Sequence, residues 1–142
     1  MTQYSDELLN QVFDRAKTIA VVGFSMNPAR ASHYVAQFLH EQGYRVIPVN
    51  PGHAGKEMFG TTIRASLEEI DEPVDMIDVF RKSDALMGVV EDALAHLPDL
   101  QTVWTQLGVI DEAAAQKAEA AGLTVIINRC PMIEFPRLGR TS

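Results

Sequence analysis

Cysteine is nearly absent from this chain of 142 residues, because Cys130 is the only one. A single thiol excludes internal disulfide bonds and any cysteine-based zinc cluster. The four histidines, at positions 33, 40, 53 and 96, show none of the close spacings that metal-binding helices use. The sequence therefore indicates no metal site.

Positive charge is also scarce, with 12 Lys and Arg residues against 19 Asp and Glu and a net charge of −7. This balance disfavours a nucleic-acid partner, since the phosphate backbone would be repelled. It also means that an anionic small ligand must be held by local cations and by oriented backbone amides.

Long apolar runs are missing, and the longest, Ile19–Val22, is far too short to cross a bilayer. The amino-terminal residues are polar and do not resemble a signal segment. We therefore expect a cytoplasmic protein without a membrane partner. A hydrophobic content of 46% with 22% charged residues fits one globular domain over residues 1–142.

The chain does contain a regular alternation of strand and helix patterns. A capping box at Ser66 and Glu69 predicts a short helix there, and Ser83 or Asp84 is the expected cap of the third long helix. The tail, 129–142, shows little periodicity. Strands are predicted at 18–23, 44–50, 74–80, 102–106 and 123–128, and the long helices at 5–17, 31–42, 83–96 and 111–121.

Such an alternation predicts an α/β fold, with a doubly wound, mostly parallel five-stranded sheet and helices on both faces. Five strands suit the order 3-2-1-4-5. Ligands of such sheets bind beyond the carboxyl ends of the strands at the switch point, here expected between strands one and four. Small and polar residues follow every predicted strand, at 23–25, 50–52, 80–83, 106–108 and 128–130.

The loop after the first strand has the pattern of an anion site. Gly23 ends an apolar strand, a polar loop with Arg30 follows, and a helix then begins with unpaired N–H groups. A dinucleotide fingerprint would need glycines where Ser25 and Pro28 stand. The second strand also ends in Asn50 rather than the acidic residue that holds an NAD ribose. An ordinary strand-to-helix turn and a nicotinamide or flavin site remain alternatives.

Several strand-end sequences resemble those of the small CoA-binding proteins. These are single Rossmann-like domains, similar to the amino-terminal CoA-binding domain of the succinyl-CoA synthetase α subunit. The resemblance covers nearly the whole chain and implies a Rossmann-like fold and a coenzyme A ligand. The residues that carry the resemblance are 22–25 with Pro28 and Arg30, and the ranges 46–51, 78–81, 103–108 and 128–130.

The resemblance implies a set of ligand-binding residues along these strand ends. Arg30 and the loop amides would hold the pyrophosphate, and Phe80 with Arg81 would flank the adenine. A lysine that the synthetase places after its second strand is matched here by His53 or Lys56. The expected set is Gly23, Phe24, Ser25, Arg30, Ser32, Asn50, Pro51, His53, Lys56, Phe80, Arg81, Gln106 and Arg129.

Several of these residues have a plainer interpretation. Arg30 can instead pair with Glu41 or another carboxylate, and Phe80 can belong to the core. His53 and Lys56 can be ordinary solvated loop residues. Cys130 beside Arg129 is either a reactive thiol or an inert buried one.

No nucleophile with a partnered base stands out. In the synthetase the phosphorylated histidine belongs to a further domain, which this sequence does not match. We therefore expect non-catalytic binding of CoA or an acyl-CoA, as a carrier, sensor or accessory subunit. Two alternatives stay open, namely a small enzyme that uses acyl-CoA or a nicotinamide nucleotide, and an interaction module with a vestigial pocket. A protein partner or a homo-oligomer is not decided by the sequence.

Overall fold

A computed structural model of the chain describes residues 3–140. Five α-helices alternate with the strands of a central sheet, and a small hairpin lies beside them. The helices are α1 Asp6–Arg15, α2 Ala31–Glu41, α3 Leu86–His96, α4 Glu112–Ala120 and α5 Pro131–Arg137. The strands are β1 Thr18–Val22, β2 Arg45–Val49, β3 Glu57–Met58, β4 Thr61–Thr62, β5 Met76–Val79, β6 Thr102–Thr105 and β7 Thr124–Ile126.

The five-stranded α/β sheet that the sequence predicts is confirmed, and all its strand pairs are parallel. The predicted strand order is wrong, since the sheet runs β2-β1-β5-β6-β7, which is 2-1-3-4-5 among its own strands. The switch point therefore lies between β1 and β5, and not between the first and fourth strands of the sheet.

The segment between β2 and β5 explains this order. Its residues Leu67 and Ile70 pack into the same core cluster as α3 and α4. A right-handed crossover on that face carries the chain past β1 to its other side. The predicted order would have required this connection to lie on the face of α2.

Each face of the sheet has its own core. On one face α1, α2 and α5 pack around the large side chains of Phe13, Trp104 and Phe135. On the other face α3, α4 and a short 3-10 helix, Leu67–Glu69, cover aliphatic strand residues. The indole N–H of Trp104 donates to the carbonyl of Arg129 at 2.9 Å, so this buried aromatic residue also fixes the chain after β7.

Local capping differs from the prediction in two places. Neither Ser83 nor Asp84 caps α3, because both lie in a 3-10 turn, Ser83–Ala85, that precedes the helix. The Ser83 hydroxyl bonds the 106–110 loop instead. The Ser66 side chain also makes no cap, although Glu69 accepts a hydrogen bond from the N–H of Ala65 at 2.8 Å. Only a single 3-10 turn forms there.

The tail, whose weak periodicity predicted no element, contains α5 at residues 131–137. The helix starts with Pro131, which suits the first helical turn, and buries Phe135 against α1 and α2. None of the helices described within residues 3–140 is long and apolar enough to span a membrane.

Candidate functional site

The candidate site begins where β1 and β5 end side by side. Gly23 has φ of +89°, and a Cβ atom there would stand 3.0 Å from the carbonyl oxygen of Phe80. Its N–H donates to the carbonyl of Val49 at 3.0 Å, which also ties it to β2. Glycine is needed here both for the left-handed conformation and for the close approach of two loops.

Side-chain hydrogen bonds order the loop between β1 and α2. The N–H of Ser25 donates to the Ser32 hydroxyl at 2.9 Å, and the N–H of Asn27 donates to the Ser25 hydroxyl at 3.1 Å. The residue before α2 is Arg30, whose side chain does not cap the helix. The first helical N–H groups, at Ala31 and Ser32, have no acceptor within the described chain. Such unpaired amides at a helix start attract anions.

Two cavities open on either side of this strand end. The α2 cavity, of about 370 Å³, is lined by Gly23, Ser25, Arg30, Ala31, Ser32 and Phe80. The α3 cavity, of about 470 Å³, lies on the opposite face of the sheet, and its lining also includes Gly23 and Phe80. The rest of that lining is Val22, Val49, Asn50, Pro51, Ala65, Ser66, Leu67, Arg81, Lys82, Val89 and Asp92.

Three exposed cations face these cavities. Arg30 lines the α2 cavity, and Arg81 and Lys82 line the α3 cavity. None of the three side chains makes a hydrogen bond or ion pair with another residue in the range 3–140. The alternative pairing of Arg30 with Glu41 is therefore not formed. Asp92 is the one acidic residue in the two linings, so both cavities favour an anion.

The structure brings eight of the predicted residues together. They share the carboxyl edge of β1, β2 and β5 and line one or both cavities: Gly23, Ser25, Arg30, Ser32, Asn50, Pro51, Phe80 and Arg81. Phe80 packs on the aromatic core and also lines both cavities, so its predicted contact with adenine stays a prediction.

The Asn50 side chain makes its hydrogen bonds within the protein. Its amide donates to the carbonyl of Phe24 at 2.6 Å and accepts from the N–H of Gly52 at 2.8 Å. These bonds join the loops after β1 and β2. Asn50 therefore shapes the α3 cavity and has less capacity to bind a ribose hydroxyl.

Five predicted residues lie outside the two cavities. The Phe24 side chain is fully buried and stacks on His33, with ring centroids 5.1 Å apart. Its N–H and carbonyl are bonded within the protein, so nothing of it faces a ligand. His53 and Lys56 lie around the end of the short 3-10 helix after β2 and line neither cavity.

Gln106 and Arg129 lie further along the same edge of the sheet. Gln106 is buried at the end of β6, and its Oε1 has no partner in the described chain. The guanidinium of Arg129 stacks 5.3 Å above the ring of Tyr4 and donates to the carbonyl of Asn128 at 2.9 Å. Neither residue lines the α2 or the α3 cavity.

Sequence reasoning missed part of the α3 cavity. Lys82 follows Arg81 directly after β5, so its place at a strand end could have predicted that it lines this cavity. Ser66 and Leu67 come from the crossover between β2 and β5, which only the observed strand order brings to this edge. No local pattern in the sequence identifies them.

A buried carboxyl lies in the strand beneath the site. Asp78 pairs in register with Val21 of β1 and Trp104 of β6, and neither of its oxygens has a hydrogen-bond partner in the described chain. Burial raises the pKa of the Asp78 carboxyl well above its ordinary value. The side chain is therefore expected to be neutral, which avoids an unpaired buried charge.

Comparisons with known proteins show which family the chain resembles. A family model described as "CoA binding domain" matches residues 17–136. The Uncharacterized protein YneT of Bacillus subtilis (strain 168) is 41% identical over 122 residues, which cover 86% of this chain and 87% of that protein. The structure of cell-free ID.343 from Thermus thermophilus is 43% identical with a TM-score of 0.89, over 95% of this chain and 99% of that one.

A more distant neighbour shows the fold alone. It is a dinucleotide forming acetyl-coenzyme A synthetase 1 of Ca. Korarchaeum cryptofilum, at 22% identity and a TM-score of 0.67. The match covers 82% of this chain and 26% of that protein.

Proposed function

The chain belongs to the CoA binding domain family, and from that membership we propose that it binds coenzyme A or an acyl-CoA at the carboxyl ends of β1 and β5. The protein acts there without catalysis, as a carrier, sensor or accessory subunit. The observation that carries the proposal is the meeting of two cation-lined cavities at Gly23 and Phe80.

The α2 cavity fits the pyrophosphate of CoA. The amides of Ala31 and Ser32 stand at the start of α2, where the helix dipole also favours negative charge. Arg30 adds a guanidinium that can bond two phosphate oxygens at once. Gly23 lacks a Cβ atom, which lets the Phe80 backbone approach closely and form the wall that the two cavities share.

The α3 cavity fits the adenosine with its 3′-phosphate. Arg81 and Lys82 supply two cations without protein partners in the described chain, and Phe80 supplies an aromatic wall. A third phosphate distinguishes CoA from NAD and gives these cations a role. The acidic residue that would hold an NAD ribose is missing, since Asn50 stands at that strand end and bonds the protein.

The groups that line the two cavities support binding rather than catalysis. The hydroxyls of Ser25 and Ser32 accept hydrogen bonds from loop amides, and neither is paired with a base. The nearby imidazole of His33 bonds the carbonyl of Ser25 at 2.8 Å. These contacts build the loop and do not form a nucleophile with its activating base.

Thermal unfolding with different nucleotides tests the proposal. A ligand that binds only the folded protein stabilises it by about 2.7 kcal/mol at one hundred times its dissociation constant. We expect CoA to raise the unfolding temperature more than equal concentrations of NAD, NADP or ATP. An equal or larger shift with NADP would contradict the choice of CoA, and no shift with any of the four would contradict the site.

A further inference from the structure

A third cavity lies at the far end of the same sheet edge. This α4 cavity, of about 320 Å³, is formed by α4, the end of β7 and the segment before α1. It is large enough for a small-molecule site by ordinary standards. None of the residues that line the α2 and α3 cavities lines it.

The chemistry of the α4 cavity differs from that of the other two. Four aliphatic side chains line it, from Ile110, Ala115, Val125 and Ile127. The carboxylates of Glu112 and Glu119 also line it and disfavour a phosphate or a fatty-acid carboxylate. The single cation, Arg129, is already engaged with the Tyr4 ring and the Asn128 carbonyl. A neutral apolar chain fits this lining best.

One loop, 106–110, lies between the α3 and α4 cavities. The Ser83 hydroxyl, next to Lys82, donates to the carbonyl of Gly108 at 3.1 Å and accepts from the N–H of Ile110 at 2.9 Å. Ile110 in turn lines the α4 cavity. The pantetheine arm begins at the pyrophosphate, which the proposed function places in the α2 cavity at the end of β1. Because β7 lies three strands from β1, the distance along the edge is about 14 Å. The extended pantetheine arm of CoA is about as long as that.

We propose that the α4 cavity holds the acyl chain of an acyl-CoA whose phosphates occupy the α2 and α3 cavities. The inference rests on the proposed function and narrows it, because the preferred ligand is a thioester with a medium-length apolar chain rather than free CoA. The thioester is uncharged, so the chain enters beside Glu112 and Glu119 without the repulsion that a free fatty acid meets.

Calorimetric titration with CoA, acetyl-CoA, octanoyl-CoA and free octanoate tests the inference. In the unmodified protein octanoyl-CoA should bind at least tenfold more tightly than CoA, because each buried methylene contributes about fourfold. Acetyl-CoA should bind about as CoA does, and octanoate should not bind. Ile110→Asp should remove the advantage of the octanoyl chain and leave CoA affinity unchanged.

Ile110 suits this test because its side chain is 46% exposed, so the variant is expected to fold. Leu94→Asp is the matched control, since Leu94 is an exposed residue of α3 that lies outside all three cavities. It should retain the preference for octanoyl-CoA. Equal affinity for CoA and octanoyl-CoA in the unmodified protein would overturn the inference alone. Failure of every CoA ligand to bind would overturn the proposed function with it.

Discussion

Gly23 is the residue on which the geometry of the strand ends depends most. Gly23→Ala would place a methyl group 3.0 Å from the Phe80 carbonyl oxygen at a φ of +89°. The left-handed conformation alone costs about 1–2 kcal/mol for a residue with a Cβ atom, and overpacking typically adds about 1–3 kcal/mol. We expect the variant to lose unfolding free energy close to the sum of these two costs. Urea unfolding measures this loss.

Gly43 provides the matched control for that variant. Its φ is +98°, yet a Cβ atom there meets nothing within 4 Å. Gly43→Ala should therefore lose only the unfolding free energy that the left-handed conformation costs, without the overpacking cost. Equal losses in the two variants would show that the close approach of the Gly23 and Phe80 loops contributes nothing to stability.

Asp78 makes stability depend on pH. Burial raises the pKa of its carboxyl, so the folded protein holds this proton more tightly than the unfolded chain does. The contribution of Asp78 to the free energy of unfolding should therefore fall as the pH rises from the ordinary Asp range through the raised pKa. The slope can reach about 1.4 kcal/mol per pH unit.

Asp78→Asn should remove this dependence, since the amide is neutral at every pH and nearly the same shape. We expect the variant to gain stability relative to the unmodified protein as the pH is raised from 5 to 8. Urea unfolding at several pH values measures the difference. A difference that does not change with pH would mean that Asp78 is ionised in the folded protein.

At the scale of elements, α5 is the clearest test of what holds the fold together. Phe135 is buried and makes edge contacts with Phe13 and Phe38, at ring-centroid distances of 5.1 and 5.6 Å. Phe135→Ala should cost about 3–5 kcal/mol of unfolding free energy. Ile133→Ala on the same helix should cost little, because Ile133 is 53% exposed. Similar small losses in both would show that α5 is not part of the core.

The sequence predicts most helices and strands of the sheet but not their arrangement. Alternating patterns are local, so the helix predicted from position 111 is found as α4, with Asp111 as its cap accepting from two backbone N–H groups. The order of the strands depends instead on which face the 50–75 connection covers. That choice is made by the packing of Leu67 and Ile70, which no local pattern reveals.

The helix α5 was missed for a related reason. It is only seven residues long, contains Pro131 and Pro136, and buries little besides Phe135. So short a segment shows no helical periodicity. Its stability comes from contacts with α1 and α2, which are distant in sequence.

At the scale of the whole molecule, the candidate site is a meeting of strand ends. Residues that follow β1 and β5 directly, such as Gly23, Ser25 and Arg81, were predictable because parallel strands end at the same edge. Phe24 could not be excluded from the sequence, because its burial against His33 and Phe59 is set by tertiary packing. Arg129 also could not be excluded from the sequence, because only the strand order shows that it follows β7 and lines the α4 cavity.

The whole chain is acidic, with a net charge of −7, so an anionic ligand binds only where local cations outweigh the overall repulsion. Arg30 is the cation that stands at the start of α2 and faces the α2 cavity. Lys17 is a suitable comparison, because it lies at the opposite, amino-terminal edge of the sheet, just before β1, and its removal changes the net charge equally.

Calorimetric titration of CoA into the unmodified protein and the variants Arg30→Ala and Lys17→Ala tests the proposed CoA site most directly. Removing the guanidinium should weaken CoA binding by about 1.5–3 kcal/mol, the value of a hydrogen bond to a charged group, while the unfolding temperature without ligand stays the same. Lys17→Ala should bind CoA as the unmodified protein does. Equal CoA affinity in all three proteins would place Arg30 outside the site and contradict the account.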